Sequence, residues 1–232
     1  MPMVRSSDLR TKRETLAVYL RRGSAQVLLA CVVVFVVARA AVGGFGIDGF
    51  GRGDAVVVVT TLLITGTVEW VIHKFLLHAP ADAWTTRTLG TGIGHRQHHV
   101  DPTDIDWLML RGIDAAVFVA AFGIVTAAWS VPLLTLTGST VLGPFLTAWG
   151  LAALGLAHYE WVHLLEHTRY RPKSRYYKRL ERHHRLHHFR NEHYWLGITS
   201  TTGDVLLRTR PRQAADVPIS DTARTLDSPT AV

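Results

Sequence analysis

Histidine has the most unusual distribution of any residue type in this chain. All 13 histidines of the 232-residue sequence lie in two windows, residues 73–99 and 158–193. Ten of them form four clusters, spaced His-x4-His, His-x2-His-His, His-x3-His and His-x2-His-His. In chain order these are His73 and His78; His95, His98 and His99; His163 and His167; and His184, His187 and His188. Because neutral imidazole is a common ligand for iron, zinc and copper, the pattern indicates metal binding.

The spacings suit ligands that leave one face of a helix. Residues at i, i+3 and i+4 lie on the same side of an α-helix, so the second, third and fourth clusters can each direct their imidazoles one way. In the first cluster a separation of five residues turns the rings about 140° apart on a regular helix. We therefore expect the chain either to unwind at His78, just before Ala79-Pro80, or to use His73 and His78 on two different ions.

Ten imidazoles suffice for two metal ions with five ligands each, which leaves a sixth position on each ion for water or dioxygen. Residue type alone does not choose among iron, zinc and copper. The single cysteine, Cys31, excludes a cysteine-ligated zinc or iron–sulfur site. The residues therefore predict a bimetal site with histidine ligands.

The other three histidines and five carboxylates are candidates for extra ligands or for partners of the ligands. A metal-bound histidine usually donates its second ring nitrogen to a carboxylate or a carbonyl group. His193 suits ligand duty and a surface role equally well, whereas a supporting or structural role is favoured for His158 and His183. The candidates are His158, His183, His193, Glu160, Glu166, Asp101, Asp104 and Asp204.

Four apolar runs provide the elements that would position these clusters. They are residues 25–44, 55–72, 113–136 and 141–161, and each approaches the length of about 20 residues that a bilayer core requires. We predict an all-α integral membrane protein with four transmembrane helices and a cytosolic helical cap that carries the histidines. A soluble protein with buried core helices is the alternative, because Arg39 interrupts the first run.

The placement of charge favours the membrane interpretation. Residues 1–22 carry six Lys or Arg and two acidic residues. Residues 158–212 carry twelve Lys or Arg and five acidic residues, whereas residues 132–147 carry no charged residue. With four passes, both termini and the histidine clusters share one side, which the positive-inside rule places in the cytoplasm. Topology and anionic lipid headgroups explain the net charge of +7, and we predict no nucleic-acid partner.

The sequence suggests three parts along the chain. We predict a basic cytosolic or interfacial segment over residues 1–22, a membrane domain over residues 23–210 and a flexible tail over residues 211–232. The tail is rich in Pro, Ser, Thr, Asp and Ala and has no periodicity. For the whole chain, an apolar fraction of 48% excludes disorder.

The ordered set of clusters resembles the membrane fatty acid hydroxylase superfamily, which includes the sterol desaturases, C4-methyl sterol oxidases and carotenoid hydroxylases. The flanking sequence is also similar, with HHVDP beginning at His98, YEWVH ending at His163 and HHFRNEHYWLGITSTTGD beginning at His187. The resemblance covers residues 55–209.

This resemblance implies four membrane helices under a cytosolic cap that holds two iron ions, although zinc can occupy such sites in purified protein. It implies an O2-dependent hydroxylase with a lipid substrate that enters from the bilayer and with no catalytic residue beyond the metal centre. The ten clustered histidines would be the ligands. The chain carries no cytochrome-b5-like domain, so we expect two electrons from a separate ferredoxin or cytochrome and its reductase.

Alternatives remain open on the sequence. A desaturase or a carotenoid hydroxylase of the same superfamily would use the same centre, and an inactive relative would keep the fold. A membrane metal-binding or transport protein would need ionisable residues deep in the membrane along a path. Arg39, Glu69 and Asp114 enter the apolar runs, but they lie near predicted ends or in one helix. We favour hydroxylation of a lipid C–H bond, because every cluster is present in order.

Overall fold

The computed structural model describes residues 4–43 and 49–226, and within them no strand is found. This confirms the all-α prediction. The α-helices are α1 (Lys12–Arg21), α2 (Gly23–Gly43), α3 (Arg52–Ile72), α4 (Trp84–Leu89), α5 (Ile93–Val100), α6 (Ile105–Leu108), α7 (Gly112–Leu136), α8 (Leu142–Glu166), α9 (Arg175–Phe189) and α10 (Thr202–Leu206). A π-helix, His73–Leu77, continues α3, and 3-10 turns cover Ser6–Asp8 and Ala214–Asp216.

Three helical segments are long and apolar enough to cross a membrane: Gly23–Gly43, Arg52–Leu77 and Ile105–Leu136. Large aliphatic side chains on them are exposed, for example Leu63 at 70% and Ile124 at 75%. Such side chains lose no stability when they face lipid, whereas a soluble protein rarely exposes them in contiguous patches. The apolar runs are therefore those of a membrane protein.

Helix α8 corresponds to the fourth predicted span. It has 25 residues, but it is not among the three segments that are both long enough and apolar enough to cross a membrane. His158 and Glu160 interrupt its apolar sequence before its end. A fourth span therefore stays a prediction, as does the end of the first apolar run at Gly44, which lies outside the described residues.

The chain divides into two compact units, each of which is described by itself. We call the first the histidine unit; it comprises Met1–Tyr19, Gly66–Met109 and Trp161–Val232. The second, the helical unit, comprises Leu20–Thr65 and Leu110–Glu160. All ten clustered histidines belong to the histidine unit. The three-part division predicted along the chain stays a prediction.

Close helix contact organises the helical unit. Helix α2 packs along α7, and a Cβ atom added at Gly112 would lie 3.4 Å from the carbonyl oxygen of Gly23. Leu28 of α2, Val119 of α7 and Ala153 of α8 belong to one buried core cluster. Small residues at such contacts let helix backbones approach closely, which is typical of helices that pack within a membrane.

A buried ion pair joins α2 to α3 in the same unit. The Arg39 guanidinium donates to both carboxylate oxygens of Asp54, at 2.9 and 2.8 Å, and the Thr147 hydroxyl donates to Asp54 at 2.6 Å. The two charged side chains are only 6% and 5% exposed. This pairing explains how Arg39 is accommodated in the first apolar run.

The described parts of the N-terminal and C-terminal segments, from residue 4 and up to residue 226, both pack within the histidine unit. In the basic N-terminal segment, Arg5 forms an ion pair with Asp101 at 2.9 Å, and the Ser6 amide donates to the Thr103 carbonyl at 2.9 Å. Arg169 contacts the same segment, because its amide donates to the Leu9 carbonyl at 2.8 Å.

The C-terminal segment differs from the flexible tail that the sequence predicts. Val217 and Ala223 are buried, and the Ser220 amide donates to the Arg190 carbonyl at 2.7 Å. The hydroxyls of Ser220 and Thr222 both donate to the Glu192 carboxylate. Polar composition suggested disorder, but these hydroxyls are used to fix the segment up to residue 226; residues 227–232 lie outside the described residues.

The Arg39–Asp54 pair yields a stability prediction. Substitution Asp54→Leu should lower the midpoint of thermal unfolding in detergent, because removal of one partner from a buried ion pair costs about 3–5 kcal/mol. For a chain of this size the loss corresponds to roughly 10 °C. The double variant Arg39→Met/Asp54→Leu should recover most of it, since no charge is then left buried.

A matched control is the exposed pair of Arg111 and Asp114, whose side chains are 77% and 34% exposed. Asp114→Leu should change the midpoint far less, because surface pairs contribute about 0–1 kcal/mol. Equal losses in the two single variants would contradict the role assigned to the buried pair.

Candidate metal centre

A π-helix resolves the spacing of the first histidine cluster. The His78 amide donates to the His73 carbonyl at 3.0 Å, an i to i+5 hydrogen bond. In a π-helix, residues five apart therefore lie nearly above one another, and the two ring centroids are 4.8 Å apart. Neither predicted solution applies, because the helix widens instead of unwinding and both rings join the same group of histidines.

The other three clusters lie on regular helical elements. Helix α5 carries the second cluster, and α9 carries the fourth. In the third cluster, His163 lies in the last turn of α8 and His167 follows the helix by one residue. Ser174 caps the start of α9, because its hydroxyl accepts a hydrogen bond from the Tyr177 amide at 3.3 Å.

Five histidines from three clusters converge in the first group of the site. One ring nitrogen from each lies within 4.8 Å of one from every other member. We call this the five-histidine group; its members are His98, His163, His167, His184 and His188. The closest contact joins the Nε2 atoms of His167 and His184 at 2.6 Å. Two ring nitrogens at this distance can share at most one proton, so the arrangement leaves lone pairs directed at a common centre.

The four-histidine group is the second such assembly, and its ring nitrogens meet the same 4.8 Å limit. Its members are His73, His78, His95 and His187. The Nε2 atom of His95 lies 3.1 Å from those of His73 and His78, and the Nε2 atom of His187 lies 3.2 Å from that of His78.

His99 lies next to both groups but belongs to neither by that distance. Its ring stacks on His188 with centroids 4.0 Å apart, and it lies 4.9 Å from His95 and 5.1 Å from His187. Its Nε2 atom is buried and has no hydrogen-bond partner among the described residues. The structure thus brings nine of the ten clustered histidines into two groups and places the tenth between them.

Burial keeps these imidazoles neutral. Loss of solvation, followed by the effect of neighbouring histidines, holds the pKa of His98 and His188 well below the usual histidine value. Burial is also the main cause that lowers the pKa of His99 and of His167 to about 3. A neutral imidazole keeps a nitrogen lone pair, which is the form that binds a metal ion, so the donor set fits two cations of the iron, zinc or copper type.

Backbone carbonyls fix the second nitrogen of several rings. The Nδ1 atom of His73 lies 2.5 Å from the Leu196 carbonyl oxygen, and that of His187 lies 2.9 Å from the Tyr194 oxygen. These oxygens can only accept, so Nδ1 carries the proton and Nε2 keeps its lone pair for the centre. His99 is held in the same way, with Nδ1 2.8 Å from the Ala223 carbonyl.

Asp204, one of the predicted supporting carboxylates, orders the segment that carries Leu196. It accepts hydrogen bonds from the amides of Leu196 and Gly197, both at 2.9 Å, and from the Thr209 hydroxyl at 2.6 Å. Burial raises the pKa of Asp204, and these three hydrogen bonds oppose that rise. Asp204 therefore touches no histidine and acts through the Leu196 backbone.

Glu69 has a similar role that the sequence reasoning missed. Its carboxylate accepts hydrogen bonds from the amides of Ile198 and Thr199 and from the Thr199 hydroxyl. A signal was present, since Glu69 lies one helical turn before His73 and is an acidic residue inside a candidate span. The contact between His73 and the Leu196 carbonyl could not be predicted from the sequence, because every residue has a backbone carbonyl.

Glu166 is the predicted carboxylate that lies nearest to the ligand set. It is buried beside the five-histidine group, with Oε2 3.9 Å from Nδ1 of His184. That separation is too long for a hydrogen bond. The structure therefore places Glu166 next to a ring but in no direct bond with it.

The structure does not bring the remaining predicted carboxylates to the histidine groups. Glu160 lies in the helical unit and accepts from the Leu110 amide at 2.7 Å. Asp104 caps α6 by accepting from the Asp106 amide at 2.9 Å. Asp101 forms the ion pair with Arg5. These acids stabilise helix ends and the N-terminal segment instead.

The three remaining histidines also lie outside both groups. His158 is exposed and belongs to the helical unit. His193 is 62% exposed, and its Nδ1 atom lies 3.3 Å from the Lys74 ammonium nitrogen. His183 lines a cleft on another face of α9. Burial and then the nearby charges of three arginines lower its pKa to about 4.

Known proteins are similar over the part of the chain that carries these groups. The fatty acid hydroxylase family matches residues 58–209. A fatty acid 2-hydroxylase of Rattus norvegicus is 30% identical over 160 residues, which cover 68% of this chain and 40% of that protein. A dihydroceramide fatty acyl 2-hydroxylase of Arabidopsis thaliana is 28% identical over 159 residues, 68% of this chain and 62% of that protein.

A beta-carotene hydroxylase of a Paracoccus species is 28% identical over 138 residues, 57% of this chain and 72% of that protein. The chain thus spans less than two thirds of the first two relatives. No solved structure matches it. The family match covers more than half of the sequence and contains all four histidine clusters, and on that ground the chain belongs to the fatty acid hydroxylase family.

Proposed function

We propose that this protein is a membrane-bound oxygenase that hydroxylates a C–H bond of a lipid. The observation that carries the proposal is the convergence of nine neutral imidazoles, most of them fully buried, into two groups within one compact unit. Family membership and hydroxylase relatives support the same reading. Overall, one C–H bond and dioxygen, with two electrons and two protons, would give an alcohol and one water molecule.

The protein's own contribution is to hold and orient the ligands. The five-histidine group would hold one ion, and the four-histidine group together with His99 would hold the other. Iron, when bound, supplies with dioxygen the oxidising chemistry that no side chain offers. Leu196 and Tyr194 keep their histidines in the tautomer that leaves Nε2 free, and burial excludes water from the rings.

We propose the same topology that the charge pattern predicts. Helix α8 would be a fourth span, and the basic termini and the histidine unit would face the cytoplasm. The positive-inside rule supports this side, because the basic residues concentrate in the segments that hold the histidines. The π-helix that carries His73 forms the end of a candidate span, which supports a substrate carbon presented from the bilayer.

The relatives support two classes of lipid substrate. Fatty acyl chains are acted on by the proteins named fatty acid and dihydroceramide 2-hydroxylases, and a polyene by the beta-carotene hydroxylase. We place a fatty acyl chain first and a carotenoid second. The electrons would come from a separate ferredoxin or cytochrome with its reductase.

Metal transport is less well supported. The charged residues in the apolar runs each have a partner: Arg39 binds Asp54, Glu69 binds the Thr199 segment, Asp114 binds Arg111, and Glu160 accepts from the Leu110 amide. Side chains engaged in this way form no obvious path through a membrane. Uptake of zinc or iron by proteoliposomes would overturn the enzymatic proposal.

Removal of one ligand tests the centre. We expect His188→Ala to lose bound iron and turnover together, by at least about 100-fold in turnover, since even supporting partners of ligands account for about 10–100-fold. Iron is measured on protein purified without oxygen. His158→Ala is the control, because His158 is exposed in the other unit. Full metal content with unchanged turnover in His188→Ala would refute the assignment.

Asp204→Asn tests the support of the ligands. The amide replaces one acceptor by a donor that would face a backbone N–H, so the Leu196 carbonyl should lose its fixed position. Metal affinity, measured by competition with a chelator, should fall about 10–100-fold, with an unchanged circular dichroism spectrum. Asp216→Asn is the matched control, since Asp216 only accepts from the Gln213 amide at the surface. Unchanged affinity in Asp204→Asn would remove this role.

The mass of the lipid product separates hydroxylation from its nearest alternative. Lipids from cells that express the protein should contain species about 16 mass units heavier than their precursors, as expected when one oxygen atom is inserted. The comparison strain expresses His188→Ala. Products lighter by about 2 mass units would instead identify a desaturase.

A further inference from the structure

A cleft in the histidine unit lies on the face of α9 away from the metal-ligand candidates. It has a volume of about 850 Å³ and separates α9 from the segment that follows α10. Its α9 wall consists of residues spaced i, i+3, i+4 and i+7, which share one face of the helix. These are Arg179, Arg182, His183 and Leu186. The buried face of the same helix carries the fourth histidine cluster.

Five arginines line this cleft. Two come from α9, and three come from the opposite wall at alternate positions. They are Arg179, Arg182, Arg208, Arg210 and Arg212. In the described part of the chain, none of their side chains forms an ion pair or a hydrogen bond. The charge of Arg210 lowers the pKa of Asp204, but the Asp204 carboxylate already accepts hydrogen bonds from Leu196, Gly197 and Thr209. The protein therefore concentrates five cations without neutralising them.

Apolar residues also line the cleft. They are Leu186, Trp195, Val205 and Pro211, and Trp195 is only 2% exposed. A site for a small inorganic anion would need polar groups throughout, whereas this cleft combines five arginines with apolar side chains. That combination matches a molecule with a phosphate group joined to hydrocarbon.

The backbone is unusual at this place. Three non-glycine residues in the described ranges have positive φ angles, and two of them, Trp195 at 54° and Arg208 at 59°, line the cleft. The Trp195 amide donates to the Thr209 carbonyl at 3.0 Å, which joins Trp195 to the wall that carries Arg208 and Arg210. Such conformations persist where the surroundings hold them and concentrate at ligand sites.

The cleft also lies beside a candidate membrane span. A Cβ atom added at Gly203 of α10 would lie 2.6 Å from the carbonyl oxygen of Gly66 in α3. Gly66 lies within this candidate span, Arg52–Leu77, 11 positions before its last residue. The aliphatic side chains that follow, Val205, Leu206 and Leu207, are 53%, 64% and 43% exposed.

Leu206 and Leu207 are exposed, lie outside the cleft lining and directly precede the first arginine of the opposite wall, a pattern typical of chain at a bilayer surface. Their side chains would enter the hydrocarbon, and the guanidinium groups would reach the phosphate layer. We propose that the arginine-lined cleft is a binding site for the phosphate headgroup of an anionic phospholipid of the membrane. This site is separate from the metal centre and does not depend on the proposed oxygenase activity.

Native mass spectrometry of the detergent-purified protein tests the proposal. The wild type is titrated with dioleoyl phosphatidylglycerol and, separately, with dioleoyl phosphatidylcholine, which has the same chains without net charge. The test variant is Arg179→Gln/Arg182→Gln/Arg212→Gln. We expect preferential retention of phosphatidylglycerol by the wild type and about 100-fold weaker binding by the variant, since each arginine near an anionic surface contributes about a factor of five.

Two further variants distinguish loss of the cleft site from a general loss of positive charge and from misfolding. Arg13→Gln/Arg87→Gln/Arg175→Gln removes three exposed arginines outside the cleft and should retain the lipid like the wild type. A triple Arg→Lys variant at residues 179, 182 and 212 keeps the charge and should retain most of the binding. Equal losses in the cleft variant and the Arg13 variant would overturn the proposal.

Two soluble competitors test the source of the ligand. If inorganic phosphate or coenzyme A bound the cleft with the affinity of phosphatidylglycerol and displaced it, the ligand would be a soluble phosphate compound, and the bilayer assignment would be wrong. If the cleft variant bound lipid normally but lost reduction by an acidic electron-transfer protein, the cleft would be a protein-docking site instead. Failure of metal binding or turnover would leave this result unaffected.

Discussion

Neutral imidazole in a water-excluded interior is the condition on which this structure depends. An imidazolium ion buried among nine other histidine rings would be both desolvated and repelled, so the rings remain uncharged. Neutral rings present lone pairs, and within the two groups these lone pairs meet at distances as short as 2.6 Å. Protons on the rings could satisfy only part of that set. A pair of cations would satisfy the rest, so any metal binding and the stability of the histidine unit are expected to be coupled.

The ligands derive their orientation from a layer of ordinary backbone. Leu196, Tyr194 and Ala223 offer carbonyl oxygens to the outward nitrogens of three rings. Asp204 and Glu69 hold successive amides of the segment that begins at Leu196. In this arrangement Asp204 and Glu69 influence ring geometry through the backbone, without a hydrogen bond to a ring. The two carboxylates therefore fix the loop, and the two groups of the candidate metal centre consist of histidines.

The sequence predicted the helical class and all four clusters because both depend on local spacing. Three positions show where local spacing was insufficient. His73 and His78 meet through a π-helix, whose choice over an α-helix depends on the other rings that surround it. Ala223 supports a ligand from a segment whose polar composition suggested disorder, because composition does not reveal that Ser220 and Thr222 find the buried Glu192. Glu160 looked like a supporting acid from its place beside His163, but its side chain is directed to the start of α7.

Helix α9 links the two sites of the histidine unit. Its buried face supplies His184, His187 and His188, and the face with Arg182 and His183 forms a wall of the cationic cleft. A helix is rigid across its diameter of about 10 Å, so a headgroup held on one face constrains the ligands on the other. An enzyme that oxidises one carbon of a membrane-embedded chain needs its metal centre at a fixed height above the hydrocarbon. A lipid phosphate bound to the helix that carries three of the candidate ligands would fix this height, because the phosphate groups of a bilayer lie at a nearly constant distance from its hydrocarbon core.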